Sequence, residues 1–219
     1  MTTAPLSLEH RIRPSSLERG PVPVLFLFHG YGSNEDDLFS FAPELPKALC
    51  IISVRAPYTL QPFGYAWYAI NFDAEQGKWS DDKQAILSRD LILRFIEEAC
   101  AAYHLDKDNI SLLGFSQGTV LSYAVALSYP ERIKRVVALS GYINERILTD
   151  RYSQGDFKNL EIYASHGQVD QVIPPEWAQK APGILESLGI DHVYQEYPMG
   201  HGVSPDNFRS FSKWLGDRI

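Results

Sequence analysis

Five consecutive residues, Gly114-Phe115-Ser116-Gln117-Gly118, carry the clearest chemistry in the chain. A serine hydroxyl becomes a nucleophile only where a base can take its proton, and it must first be lifted clear of the backbone around it. The pattern G-x-S-x-G does this when a strand turns abruptly into a helix at the serine. The residues two before and two after must then be small, because strand and helix nearly touch. With this chain's glycine and serine content, roughly one-tenth of a match is expected by chance. The setting adds weight: the apolar run Ile110–Leu113 leads into the motif, and a helical pattern, Thr119–Ser128, leads out of it.

A base and an acid must complete the nucleophile. Of the six histidines, His10 lies on an expected edge strand, His104 at a helix end and His192 at a strand start. His29 and His166 each end a strand before a glycine, but neither follows the acid in the order nucleophile, acid, base. His201 does, in the loop Tyr197-Pro198-Met199-Gly200-His201-Gly202, from which an imidazole can reach Ser116. Asp170, in the turn after Leu160–Ala164, is the favoured acid, with Asp150 and Asp156 as alternatives. The order is then nucleophile, acid, base, with the carboxylate orienting the imidazole. Two backbone N–H groups must also meet the developing oxyanion. Gln117, next to the serine, supplies one. Tyr31, in the turn Gly30-Tyr31-Gly32 after the run ending Phe28-His29, is the candidate for the other.

Substrate contacts are expected from an aromatic stretch. Ala56–Trp79 holds Tyr58, Phe63, Tyr65, Trp67, Tyr68, Phe72 and Trp79, shows neither helical nor strand period, and includes Pro57, Pro62, Gly64 and Gly77. It reads either as a pocket wall beside Ser116 or as a small apolar cluster under a loop. Trp67 is the residue expected nearest the substrate, with Tyr31, Phe63 and Tyr142 as further contacts.

These residues need a scaffold that gathers loops at one edge. Short, almost wholly apolar runs recur at Pro21–Phe28, Leu49–Val54, Ile110–Phe115, Arg135–Leu139 and Leu160–Ala164, followed by the alternating His192–Tyr197. Such runs are strands covered on both faces, as in a parallel sheet between helices. Helices are expected at Ser80–Tyr103 with Ser80 as cap, at Thr119–Ser128, at Pro205–Leu215, and over Pro175–Leu188 with a break at Pro182. Leu6–Arg13 alternates and predicts an antiparallel edge strand. The pattern is one α/β domain over 1–219 with a mostly parallel sheet.

Composition narrows the function. At 45% hydrophobic and 21% charged residues, the 219-residue chain is neither disordered nor coiled coil. Its net charge of −7 and lack of a Lys/Arg run argue against nucleic-acid binding. No apolar stretch is long enough for a membrane span, and Met1–Pro5 lacks the features of a secretory signal. Two cysteines, Cys50 and Cys100, read as buried free thiols in a reducing, cytoplasmic compartment. No H-E-x-x-H motif suggests a metal hydrolase.

Taken together, His29-Gly30-Tyr31-Gly32, Ala66-Trp67-Tyr68, Gly114–Gly118, Leu139-Ser140-Gly141-Tyr142, the turn His166-Gly167…Asp170…Pro174 and Met199-Gly200-His201 resemble the carboxylesterase/phospholipase branch of the α/β-hydrolases, the acyl-protein-thioesterase-like group. The resemblance spans nearly the whole chain. It implies an α/β-hydrolase without a large cap domain, needing no cofactor or metal, that cleaves small carboxylic esters, lysophospholipids or acyl thioesters through an acyl-enzyme. Ser116, Asp170 and His201 would form the triad, and Tyr31 and Gln117 the oxyanion hole. Some members form dimers, so a homodimer is an expected assembly. Where Tyr31 stands the family often has leucine, which keeps the backbone donor but changes the pocket wall. The 18-residue connection Gly141–Lys158 is too short for a cap, so an open, shallow pocket for short to medium acyl chains is expected. The rival from another class is a binding protein on the same scaffold.

Overall fold

The computed structural model describes residues 6–73 and 77–219, with the backbone alone at 71–73 and 77–79. Met1–Pro5 lies outside the described residues, as do the side chains of Phe72 and Trp79.

The strands are β1 (His10–Arg13), β2 (Val22–Phe28), β3 (Cys50–Val54), β4 (Tyr58–Thr59), β5 (Tyr65–Ala66), β6 (Ile70–Asp73), β7 (Gly77–Ser80), β8 (Leu105–Phe115), β9 (Arg135–Leu139), β10 (Glu161–Gly167) and β11 (Asp191–Tyr197). Seven of them form one sheet in the order β1-β3-β2-β8-β9-β10-β11. Only β1 runs antiparallel to its neighbour, as the alternation of Leu6–Arg13 predicts at an edge. The helices are α1 (Asp36–Phe39), α2 (Asp82–Tyr103), α3 (Gln117–Ser128), α4 (Pro175–Ala178), α5 (Ala181–Ser187) and α6 (Pro205–Gly216).

Period-two alternation divides the strand side chains between two layers. Val24, Phe26, Phe28, Ile52, Leu112 and Val136 pack beneath α2 and α3, against Ile92, Phe95, Ile96, Val120 and Leu121. Leu25, Leu27, Ile51, Leu113, Val137 and Tyr163 point the other way, onto Leu38 of α1 and Phe211, Trp214 and Leu215 of α6. With both faces covered, these strands have no polar side to present, which is why they read as unbroken apolar runs.

Register matters most at the carboxyl edge. Phe28 lies opposite Gly114, Phe115 opposite Leu139, and Gly167 opposite Tyr197. The loops that follow β2, β8, β10 and β11 therefore emerge at one level. No large cap covers that edge: Gly141–Lys158 holds only two single-turn 3₁₀ segments, Glu145–Ile147 and Tyr152–Gln154.

Local differences from the sequence expectation have simple causes. Asp81, not Ser80, caps α2 by accepting from the Gln84 N–H at 3.0 Å, because the carboxylate sits one residue nearer the first turn. Pro182 does divide its helix, falling in the first turn of α5, where a missing N–H costs nothing. The aromatic stretch, expected to be irregular, contains two small hairpins, β4–β5 and β6–β7. Two- to four-residue strands are too short to print a period.

Candidate active site

Ser116 sits where β8 becomes α3, with φ +54° and ψ −116°. A left-handed φ strains a serine, at a cost of order 1–3 kcal/mol, and the surroundings hold it there. The Ser116 N–H donates to the Leu139 carbonyl at 3.0 Å, which ties the turn to the next strand. The flanking glycines are steric necessities. A Cβ at 114 would overlap the Gly118 carbonyl, and a Cβ at 118 would overlap the carbonyl of Phe28.

The other two groups arrive from neighbouring strand ends. His201 Nε2 lies 2.9 Å from Ser116 Oγ, and His201 Nδ1 lies 2.7 Å from Asp170 Oδ2. With Nδ1–H donating to the carboxylate, Nε2 is left to accept the serine proton. Phe115 packs its ring 4.9 Å from the imidazole and confines it. Asp170 and Ser116 are 6% and 8% exposed, so the row is nearly dry. The Asp170 carboxylate is well held: Oδ1 accepts from the N–H groups of Val172 at 2.8 Å and Ile173 at 3.0 Å. Burial alone would raise its pKa. The hydrogen bonds from His201, Ile173 and Val172, with the imidazole's charge, outweigh burial and hold the carboxyl below its ordinary value. His166 was not read as part of this arrangement from the sequence. Its Nε2–H donates to the Ile173 carbonyl at 2.9 Å and lies 3.3 Å from Asp170 Oδ2. The i,i+4 spacing from His166 to Asp170 was the available signal.

On the opposite side of Ser116, neither the Gln117 nor the Tyr31 N–H has a hydrogen-bond partner among the described residues. Gln117 is the first residue of α3, where backbone N–H groups point outward and the helix dipole favours negative charge. Gly30 brings its backbone against the serine: a Cβ there would stand 3.3 Å from that of Ser116. The Tyr31 loop is fixed from behind, since Glu35, buried in the interior, holds Arg55 through two contacts of 2.5 and 2.7 Å.

Trp67 requires a correction. It is wholly buried and does not line the groove beside Ser116. Its indole N–H donates to the His29 carbonyl at 3.0 Å, and its backbone N–H donates to Gln117 Oε1 at 2.8 Å. The Gln117 amide in turn donates to the Tyr68 carbonyl at 2.7 Å. His29 completes the network: Nε2 accepts from Ala56 N–H at 3.0 Å, so Nδ1–H is the proton aimed at the Gly30 carbonyl, 2.7 Å away. Trp67 thus ties the strand end before Tyr31 to the residue after the nucleophile. Phe63 is also corrected. It lies on the five-residue turn between β4 and β5, residues 60–64, 78% exposed and away from the groove, because this hairpin turns its tip outward.

Tyr31 and Tyr142 do line the groove, together with Ser116, Gln117 and His201. Its volume is about 1390 Å³, above the roughly 300–1,000 Å³ of ordinary small-ligand pockets, so it is roomier than the shallow pocket expected. Ile173 and Trp177 form a further wall that sequence reading missed. Trp177, 43% exposed on a four-residue helix, gave no periodic signal.

A family model described as Phospholipase/Carboxylesterase matches residues 15–218. The chain is 26% identical over 213 residues to a protein of Arabidopsis thaliana named probable carboxylesterase SOBER1-like, covering 96% of this chain and 77% of that one. It is 26% identical over 219 residues to acyl-protein thioesterase 1 of Candida albicans, covering 92% and 94%. Among solved structures, the Bacillus cereus carboxylesterase superposes with a TM-score of 0.83 at 19% identity, over 97% of this chain and 95% of that one. Esterase PE8 gives 0.82 at 24% identity, over 97% and 99%. At such identities the structural likeness speaks for the fold. Among the described residues, no helix is long and apolar enough to cross a membrane.

Proposed function

The chain belongs to the phospholipase/carboxylesterase family, and from that premise we propose that it is a serine hydrolase cleaving short- to medium-chain acyl esters through an acyl-enzyme. The observation that carries this reading is the unbroken row Ser116 Oγ, His201 Nε2, His201 Nδ1 and Asp170 Oδ2, with spacings of 2.9 and 2.7 Å. A protein that only bound its ligand would need none of the three in register.

Ser116 Oγ attacks the acyl carbonyl as its proton passes to His201 Nε2. Asp170 holds the imidazole's tautomer and stabilises the imidazolium. The carbonyl oxygen becomes an oxyanion, which the N–H groups of Tyr31 and Gln117 receive. Donors of this kind are worth about 3–4 kcal/mol each when removed. His201 then returns the proton to the departing alkoxide, leaving an acyl-Ser116 ester. Water, deprotonated by the same imidazole, attacks that ester and restores the serine. Protonating the base stops both halves of the cycle, so activity falls on acidification.

The relatives named acyl-protein thioesterase 1 favour a second reading with the same machinery, in which a thiolate leaves in place of an alkoxide. One assay addresses both. A series of 4-nitrophenyl esters from acetate to palmitate, with an acyl thioester control, should give the highest kcat/KM at short to medium chain length. Stoichiometric labelling by an alkyl fluorophosphonate, lost in Ser116→Ala, should accompany it. Failure to label a folded protein that hydrolyses no ester would overturn the proposal.

A further inference from the structure

The groove beside Ser116 is much larger than an acyl group requires, and its walls differ in chemistry. Toward α4 and α5 they are apolar, with Val172, Ile173, Trp177 and Ile184. Toward α2 they present Tyr68, Ser80, Asp82 and Tyr142. Here a buried polar group has been left open. Tyr68 is 4% exposed yet lines the groove, and its hydroxyl makes no hydrogen bond to any described residue. Burial first, then Tyr142 and the charge of Asp82, push its pKa well above the ordinary phenol value, so it stays a neutral donor. Tyr142 is also pushed up, by burial and Asp82, against a hydrogen bond with the Ser80 side chain that lowers it.

Asp82 is fixed across the groove. Its Oδ1 accepts from Asn144 Nδ2 at 3.2 Å and lies 3.5 Å from Ser80 Oγ. No described side chain donates to its other oxygen. Asn144 is itself spent, since its Oδ1 accepts from the Arg146 N–H at 3.2 Å. What faces the groove is therefore a carboxylate oxygen and two phenol hydroxyls, beside an aromatic corner where Tyr142 and Trp177 meet edge to face at 5.1 Å. An acyl chain can satisfy none of these groups.

Charge selects among the remaining ligands. Lys83, Arg146 and Lys180 also line the groove, and none has an ion-pair partner among the described residues. An ammonium group would face these three cations, and an anion would face Asp81, Asp82 and Glu145, which line the same groove. A neutral group rich in hydroxyls, each both donor and acceptor, meets neither penalty. We propose that Tyr68, Asp82 and Tyr142 form a subsite for the polyhydroxylated alcohol portion of the substrate, a glycerol- or sugar-type ester whose acyl group lies along the Ile173 and Trp177 wall. The assignment rests on the serine-hydrolase reading above.

The test compares octanoyl esters that differ only in alcohol: 1-octanoylglycerol, ethyl octanoate and 2-(trimethylammonio)ethyl octanoate. The wild-type protein should show at least tenfold higher kcat/KM for the glycerol ester than for the ethyl ester. That ratio should fall at least fivefold in Tyr68→Phe, which removes one oxygen, and in Asp82→Asn, mainly through KM. A second arm uses Ser116→Ala and measures binding by calorimetry. There 1-octanoylglycerol should bind at least fivefold tighter than ethyl octanoate, with the advantage lost in Ser116→Ala/Tyr68→Phe. If no ester is turned over while this binding preference holds, the hydrolase reading fails and the subsite stands. Equal binding of the two esters, or a preference for the ammonium ester, overturns the subsite. So does an unchanged ratio in folded Tyr68→Phe.

Discussion

The two sides of Ser116 are built on different plans. On the base side, side chains touch one another directly: Ser116 meets His201, and His201 meets Asp170. On the other side, where the oxyanion hole is proposed, the reacting groups would be backbone N–H groups, and the side chains that support them from behind face inward. Trp67, His29 and the Gln117 side chain form a buried network that holds two distant loops together, with Trp67 and His29 outside the groove. The first plan makes the residue type at each position the chemistry itself. The second makes residue type a matter of support, so that any residue but proline at position 31 still offers its N–H. Loss of function should therefore be steep and all-or-none on one side and graded on the other.

The largest effect is expected at the nucleophile. Ser116→Ala should lower kcat on the order of 10⁵-fold with little change in folding, measured on a 4-nitrophenyl ester. Asp170→Asn should follow, at about 10⁴-fold, because the amide turns the imidazole to the wrong tautomer. This variant also has a pH signature in stability. A carboxyl held below its ordinary value stabilises the fold above its unfolded pKa of about 3.9, and that contribution disappears as pH falls. Urea melts from pH 7 to pH 3 should show the wild type ahead of Asp170→Asn at neutral pH, with the gap narrowing on acidification.

This asymmetry also explains what could be read from the chain. Ser116, Asp170 and His201 were legible because each sits in a short motif at a strand end, and the all-apolar strands fix where those ends lie. The sheet was legible for the same reason, since strands such as Arg135–Leu139 are buried along their whole length. Trp67 was misread because a tryptophan in an aromatic, proline-rich stretch carries no mark of which way it faces. Its orientation is set by Phe28 and His29, some forty residues upstream, whose rings pack 5.5 and 5.7 Å from the indole. The length of β8 was underestimated because Asp106, Lys107, Asp108 and Asn109, at its exposed beginning, carry no apolar signal.

On the oxyanion side, Trp67→Phe should be the most informative change. It keeps an aromatic ring in the core but removes the N–H that holds the His29 carbonyl. The expected loss is about 10- to 100-fold in kcat, from a loop that drifts by a fraction of an ångström, with KM nearly constant. A loss as large as that of Ser116→Ala would erase the distinction between the two sides. His166→Phe should cost about tenfold, since Asp170 keeps its two backbone donors and loses only the anchor on Ile173. His166→Gln, which can still donate from a similar position, should recover most of that loss.

The smallest effect sharpens the comparison most. Phe63 and Trp67 lie four residues apart in the same aromatic stretch and looked alike in the sequence. Trp67 is wholly buried and bonded at both N–H groups, whereas Phe63 is 78% exposed at the tip of a hairpin. Replacing an exposed aromatic buries nothing new and opens no cavity, so Phe63→Ser should leave stability within about 0.5 kcal/mol of the wild type. Its kcat/KM on soluble nitrophenyl esters should stay within about twofold. Chemical denaturation and the ester assay read both quantities on one preparation. A tenfold fall in kcat/KM with unchanged stability would mean that the hairpin tip folds over the groove during catalysis, and that Phe63 acts on the substrate and not as a surface residue.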